Sequence, residues 1–457
     1  MMIPMVKEHT MKKIFIITLL FCAATGFTQM NTMPHFEIPT ARSSGMGGTH
    51  VAYTDNVFSL LVNPAAMMRV EQQSIIALSP ALFNPETISG FVSLMRPVLT
   101  SSNDQSEMRK AIGKAANIIS EENGKLYLGM DVREFPLSIA WVSNGLGFGI
   151  WDRIYVNPNV IGTTLVLEAC IDLITPVGVA FKILDTGHHN VDAGIVIKPF
   201  LRAMASERMA ILSMIIDEDS FDFSVPMLIG AGFDIGFMYR WKLGLSAGLT
   251  FSDIGNTTGK IVKDFTSDAS GSYKVPFSLN WGVAYDFRVG NFWETAPDFL
   301  KNFGVTAAFD WKDFNNAFKQ DDYTRKNAAL GIGAGIQLAM GKNDLFKFRV
   351  GMNECLPSFG FGLDIGSLEM DFAYYGKELG REPGQMSVAV LELTFAVRPQ
   401  VKKHKWPWTR NSVVGLITGL VGNEENEPLG VAEEEEEAPS GTVFETYQFD
   451  EEEGVFF

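Results

Sequence analysis

The stretch Phe277-Ser278-Leu279-Asn280-Trp281-Gly282-Val283-Ala284-Tyr285-Asp286-Phe287 puts a large apolar or aromatic side chain at every odd position and a small or polar one at every even position. Successive side chains of a strand face opposite sides, so this reads as a strand with one continuous greasy surface and one wettable surface. A tilted transmembrane strand needs roughly 9 to 11 residues, which this stretch supplies. The same period recurs in Met227 to Arg240, where Met227, Ile229, Phe233, Ile235 and Phe237 oppose Gly230, Gly232, Asp234 and Gly236, and again in Trp241 to Ser252. Further copies are Phe303 to Lys312, Leu330 to Met340, Phe346 to Asn353, Phe359 to Gly366, Leu368 to Lys377 and Val388 to Arg398.

A soluble β-sandwich alternates too, but its strands average about 5 or 6 residues and its solvent face favours Lys, Glu and Thr. Here the minor face is mostly Gly, Ala and Ser, which suits a lumen crowded by inward-pointing groups. Aromatic residues gather near strand ends at Tyr239, Trp241, Trp281, Tyr285, Trp311 and Tyr374, where membrane barrels carry interface girdles. The expected fold class is all-β: a transmembrane antiparallel β-barrel of about fourteen strands with a few short helices, located in the cell outer membrane.

The remaining strands are read from the first half of the body. Ser74 to Phe83 and Ile88 to Met95 flank a turn at Asn84-Pro85. Leu137 to Ser143 and Leu146 to Arg153 flank Asn144-Gly145, the strongest two-residue hairpin signal. Val160 to Leu184 stays open between two strands around Thr175-Pro176 and a short helix followed by a strand at Val177 to Ile183. A strand near Val191 to Phe200 follows. Two stretches take a helical period instead: Asp104 to Asn123, with Met108, Ile112, Ala115 and Ile119 on one face, and Leu201 to Ile216, with Leu201, Ala205, Met209, Leu212 and Ile216 on one face. Met108, Ile112, Ile119, Met209, Leu212 and Ile216 form a candidate apolar access groove, since Met adapts to variable chains; the alternative is helices simply packed on the barrel.

No mature segment offers about 18 uninterrupted apolar residues, so helical spans are not expected. Counted from Met11, Lys12 and Lys13 followed by Ile14 to Ala24 read as an export leader, and residues 1–29 are assigned to it. Cys22 follows the bulky Phe21, a poor lipid-modification context. Cys170 and Cys355 stand far apart in no framework and fit neither a disulfide-built fold nor a thiol metal site. The net charge is −16, but thirteen acids and no Lys or Arg lie from Asn411 onward, leaving −3 for the rest. A nearly neutral body with an acidic tail excludes nucleic acid as a partner. Residues 399–457 read as a periplasmic extension: Lys402, Lys403, Lys405 and Arg410 with Trp406 and Trp408 as an interface anchor, then an acidic solvated tail around Glu433 to Glu437. The extension is a candidate contact for a periplasmic protein partner.

Residues 30–72 interrupt this strand logic. Ala41-Arg42-Ser43-Ser44-Gly45-Met46-Gly47-Gly48-Thr49-His50-Val51-Ala52, followed by Asp55, Ser59, Leu60 and Asn63-Pro64-Ala65-Ala66, resembles the N-terminal hatch signature of FadL-type outer-membrane proteins. It is similar also to a spirochaete branch of that superfamily and to the PorV-like secretion-associated branch. The likeness implies residues 30–72 as a hatch, residues 73–398 as a fourteen-strand barrel, and passage of long-chain fatty acids or other hydrophobic molecules. It carries the hatch role onto Gly45, Gly47, Gly48, Asn63, Pro64 and Ala65. Pro64 holds Asn63 out of helical geometry, the Asn63 amide can bridge hatch to wall, and the glycines allow close backbone approach. Sixty residues follow Val397, so the usual terminal assembly signal is expected inside the chain, at Leu391 to Val397.

Catalysis finds no support, and neither a cofactor nor a metal is expected. His188 and His189 lack a nearby ligand cluster, Asp217-Glu218-Asp219-Ser220 reads as a solvated loop, and the Gly-x-Gly repeats at Gly147 to Gly149, Gly331 to Gly335 and Gly360 to Gly362 lack a following helix and read as lumen-facing strand glycines. The expected function is passive uptake of hydrophobic molecules, long-chain fatty acids foremost. The rivals are a PorV-like barrel that recruits secreted proteins, and a secreted soluble β-protein or adhesin.

Overall fold

The two-residue period becomes strands that pair in chain order. The computed structural model describes residues 33, 35–36, 40–70, 73–85, 125–127, 129–133, 138–161, 164–210, 225–264, 271–293, 295–315, 326–341 and 344–398. The first strands are β1 (Gln73–Phe83), β2 (Lys125–Tyr127, Gly129–Arg133 and Ile139–Ser143), β3 (Leu146–Ile161), β4 (Thr164–Ile174 and Val177–Asp185) and β5 (His189–Ala210). Then come β6 (Pro226–Trp241), β7 (Leu245–Ser252 and Thr258–Asp264), β8 (Ser272–Lys274 and Ser278–Arg288), β9 (Gly304–Trp311) and β10 (Ile332–Met340). The last are β11 (Phe346–Asn353), β12 (Leu356–Ile365), β13 (Leu368–Glu378) and β14 (Ser387–Val397). Every neighbouring pair is antiparallel, and β14 returns to β1 in a register running from Ile76↔Val397 to Phe83↔Val390. The sheet is therefore a closed fourteen-strand barrel without edges.

What lies on each face decides between barrel and sandwich. Outward side chains such as Ile76, Phe148, Ile171, Ile197, Val350 and Phe359 are exposed, each by half or more. The inward face instead buries ion pairs, most of them between different strands. Arg133 on β2 meets Asp131 at 2.9 Å and Glu392 on β14 at 2.7 Å, Arg202 on β5 meets Asp172 on β4 at 2.5 Å, and Arg349 on β11 meets Asp371 on β13 at 2.5 Å. Greasy outside and charged inside is the inverse of a soluble sandwich, and it fits lipid around an internally wired lumen.

The Asn144-Gly145 hairpin forms as read, both residues taking positive φ (43° and 88°) as a two-residue turn of that twist requires. Between Val160 and Leu184 the described residues are strand up to Ile174 and again from Val177, with Thr175-Pro176 a gap in the ladder of β4 where Thr175 N–H reaches the Pro199 carbonyl. Trp241 to Ser252 is not one strand: Lys242 to Gly244 form the turn after β6, and β7 starts at Leu245. The helix expected from Leu201 is corrected more strongly. β5 is a 22-residue strand ending at Ala210, and Leu201, Ala205 and Met209 pair with Leu173, Ala169 and Leu165 of β4. The other helical stretch, with Met108, Ile112 and Ile119, lies outside the described residues, as do Ile88 to Met95, Leu212, Ile216 and everything beyond Arg398. Cys170 and Cys355 are both free.

The strand β7 bulges. Between Ser252 and Thr258, five residues of β7 stand against three of β8 (Val275 to Phe277). Excess residues on one strand must leave the sheet plane, which bends the wall there.

Candidate functional site: the segment inside the barrel

Thr40 to Val70 forms no strand. It folds into α1 (Ala41–Gly45), α2 (Ser59–Val62) and a 3-10 turn (Pro64–Arg69), largely buried within the ring of strands. Thr40 starts α1 through a capping box: its hydroxyl accepts from Ser43 N–H at 3.3 Å while Ser43 Oγ accepts from Thr40 N–H at 3.1 Å. Such short helices are not stable alone, so their positions come from the wall.

The wall contacts run round the barrel. Ser44 Oγ donates to Glu392 on β14 at 2.9 Å, and Gly47 N–H to Ser358 on β12 at 3.0 Å. Asp310 on β9 accepts from the N–H groups of His50 (2.5 Å) and Val51 (2.8 Å), and Ser246 on β7 donates to the Ala52 carbonyl at 2.8 Å. Asn63 is fully buried. Its amide donates to Val51 O at 3.1 Å and to Phe237 O on β6 at 3.2 Å, and its oxygen accepts from Ala65 N–H at 3.2 Å. One short side chain thus ties the inserted segment to itself and to the wall.

Glycines set how near the backbones come. A Cβ on Gly45 would lie 2.9 Å from Gly360 Cα, and one on Gly236 would lie 2.8 Å from Pro64 Cδ. Gly47 combines such crowding with φ +68°, a region L side chains avoid. Gly147, Gly149, Gly333, Gly335, Gly360 and Gly362 all sit in strands, where an added Cβ would strike the inserted segment or an inward-facing side chain. Gly331 ends a 3-10 turn instead.

The segment has two unlike sides. Towards β1 to β5, Phe58, Leu60, Met67 and Val70 join Ile75, Val142, Trp151, Ile174 and Val196 in one apolar cluster, with Phe58 and Trp151 rings 6.2 Å apart. Towards β8 to β14 lies a polar cavity of about 210 Å³ between Arg42, Asp55 and Arg69 of the segment and Arg288, Lys347 and Arg398 of the barrel end. Arg42 grips both Asp55 oxygens at 2.8 and 3.1 Å. Burial pushes the Asp55 carboxyl up, but the Arg42 charge and hydrogen bonds, aided by Arg69 and Lys347, hold it well below the usual carboxylate range.

Upstream residues are anchored as well. Met33 N–H reaches the Lys274 carbonyl at 2.9 Å, the Phe36 ring packs tilted against Phe200 at 4.5 Å under the Arg202 guanidinium, and His35 Nδ1 is 3.1 Å from Asp253. Asp253 lies in the β7 bulge and shares Lys198 with Asp234.

The chain is similar to solved channels and transporters. The CymD monoaromatic hydrocarbon channel matches at 11% identity and TM-score 0.43, covering 82% of this chain and 100% of its own. The Ralstonia pickettii toluene transporter TbuX matches at 12% and 0.40, covering 79% and 98%. A Pseudomonas aeruginosa FadL homologue matches at 9% and 0.40, covering 79% and 99%. No protein-family model and no curated protein matches the sequence.

The structure gathers Gly45, Gly47, Gly48, Asn63, Pro64 and Ala65 inside the barrel; of the candidate groove only Met209, in β5, is among the described residues, and its five companions lie outside them. His189 stacks on Trp241 and bonds Tyr239 at 2.8 Å, and among the described residues no group of His, Cys, Asp or Glu is placed to hold a metal. Sequence reasoning missed Asp310, Ser246, Glu392, Arg69 and Trp151. The one available signal was a charge or hydroxyl on the small face of an alternating strand, a face otherwise read as plain lumen.

Proposed function

We propose that this protein is an outer-membrane channel for passive uptake of hydrophobic molecules, with long-chain fatty acids as the leading class. The observation that carries this reading is the apolar cluster between the inserted segment and β1 to β5, set against a wholly different, charged cavity on the opposite side. Every methylene that leaves an apolar surface for water costs about 0.8 kcal/mol, so a hydrophobic solute follows a greasy wall and avoids an open aqueous pore. Trp151 and Phe58 lie at the centre of that cluster, their rings 6.2 Å apart. The hatch-like motif at Gly45 to Ala65 supports the same reading. No residue set for chemistry is needed, since the solute is moved and not changed.

The test is long-chain fatty acid uptake in a transporter-deficient host expressing the chain. Wild type restores uptake. Phe58→Arg, which places a charge in the apolar seam, lowers it at least tenfold while surface assembly persists. Wild-type protein that assembles correctly but restores no uptake removes the proposal.

A further inference from the structure

We propose that the cavity beneath the inserted segment is a binding site for a small oxyanion, held by Arg69 with Tyr53. The inference goes beyond the transport reading and does not depend on what crosses the barrel.

The argument is an account of charges. Arg42 is answered by Asp55 through two hydrogen bonds, and Arg288 by Asp344 at 2.5 and 2.8 Å and by Asp286, which also lines the cavity, at 3.4 Å. Lys347 and Arg398 share Asp364 at 3.1 and 3.0 Å, with Glu369 beside them. Arg69 differs from all of these. Its guanidinium donates to the Ala52 carbonyl at 3.3 Å, and among the described residues no carboxylate forms an ion pair with it. Asp55, the nearest candidate, already has both oxygens engaged by Arg42. Burial, together with the like charges of Arg240 and Arg42, pulls the Arg69 pKa below its ordinary value although Asp55 opposes this. Arg240 is itself incompletely satisfied, with a buried Nε lacking a partner.

A guanidinium presents five N–H donors and pairs best with a planar or tetrahedral oxyanion, bidentately where the oxyanion allows. One such anion would receive Arg69 and relieve its repulsion from Arg240. Tyr53 adds a neutral donor at the same place: its hydroxyl oxygen already accepts from Gln337 Nε2 at 2.7 Å, which leaves the O–H to donate into the cavity it lines. The volume of about 210 Å³ holds a small anion with several waters, each occupying roughly 30 Å³. A long apolar ligand does not suit this space, because its walls are charged. A carboxylate and an inorganic phosphate offer the same oxyanion chemistry, and the two can be separated by measurement. Since Arg69 belongs to the inserted segment and Arg288, Lys347 and Arg398 to the barrel, a bound anion would also fasten the two together electrostatically.

The experiment is isothermal titration of the full chain in neutral detergent with sodium phosphate, sodium acetate and, as control, sodium chloride. Wild type is expected to bind phosphate, acetate or both saturably, with one site per barrel. Binding by phosphate alone or acetate alone identifies which oxyanion the site takes. Arg69→Gln should weaken binding at least tenfold, while Arg69→Lys keeps most of it and Tyr53→Phe weakens it severalfold. Heat-modifiable gel mobility checks that each variant barrel is folded, and if Arg69→Gln fails that check, Tyr53→Phe and wild type decide. Linear, non-saturable heats in wild type, or Arg69→Gln binding like wild type, overturn the proposal.

Discussion

Single residues carry unequal weight in seating the segment, and the geometry ranks them. Gly47 has no freedom to change: an added methyl would meet backbone on two strands and sit in the left-handed region, which alone costs about 1–2 kcal/mol. Gly47→Ala is therefore expected to unseat the segment, seen as faster hydrogen exchange at residues 46–52. Asp310 holds two N–H groups with a charge, and such bonds contribute about 1.5–3 kcal/mol each. Asp310→Ala should release His50 and Val51 to exchange, whereas Asp310→Asn, which retains one acceptor, should do so less. Equal exchange in both variants would show that the carboxylate does not hold the turn. Asp55 sets the acid response. Its carboxyl is depressed in the folded protein, so its contribution is complete above the ordinary aspartate pKa near 3.9 and fades only as pH falls through the lower folded value. Exchange protection of residues 40–56 should thus persist at pH 4 and weaken in stronger acid, and Asp55→Asn should remove that dependence.

At the scale of elements, the strands that announced themselves were those whose two faces meet different surroundings. β8, β10 and β13 have lipid on one side and small or polar groups inside, so period two survives in their composition. β5 shows the opposite case. Its upper part faces lipid through Leu201, while Phe200 and Met204 pack inward against the chain's own apolar cluster, so both faces are greasy and the period is hidden. That is why a helical spacing looked acceptable from Leu201 to Met209. The inserted segment was legible as a non-strand interruption, but its partners were not. Nothing in the local sequence says that Ser358, Asp310 or Glu392 will face Gly47, Val51 or Ser44, because strand registers from distant parts of the chain create those meetings. The β5 correction can be checked directly. With Cys22, Cys170 and Cys355 replaced by Ser, nitroxides placed singly at positions 199 to 204 should show oxygen accessibility alternating with period two, high at 199, 201 and 203. A maximum every three to four residues would restore the helix.

Over the whole molecule, closure is what turns these local patterns into a barrel with an interior. Ion pairs such as Arg133 with Glu392 join β2 to β14 across β1, so the seam that the β1–β14 backbone ladder closes is also bridged by side chains inside the barrel. Desolvating such charges is costly unless each is paired, and the ring of strands supplies partners from the same strand, the next one or the one after it. The inserted segment completes the arrangement by splitting the interior into a greasy side and a charged side, a division that a simple pore would not have. Closure also has a covalent test. Leu82 on β1 and Leu391 on β14 face each other in register and point outward, away from the inserted segment. In a background without Cys22, Cys170 and Cys355, Leu82→Cys with Leu391→Cys should oxidise to a disulfide in the assembled barrel, because directly opposed residues of antiparallel strands have Cβ atoms about 4.5–5.5 Å apart. The cross-link should survive boiling and shift the unfolded chain's gel mobility until reductant is added. Shifting one cysteine along β14, to Leu393, should abolish bond formation, since the register places Leu391 opposite Leu82. Efficient cross-linking at the shifted position, or none at the matched one, would mean that β1 and β14 do not meet in this register.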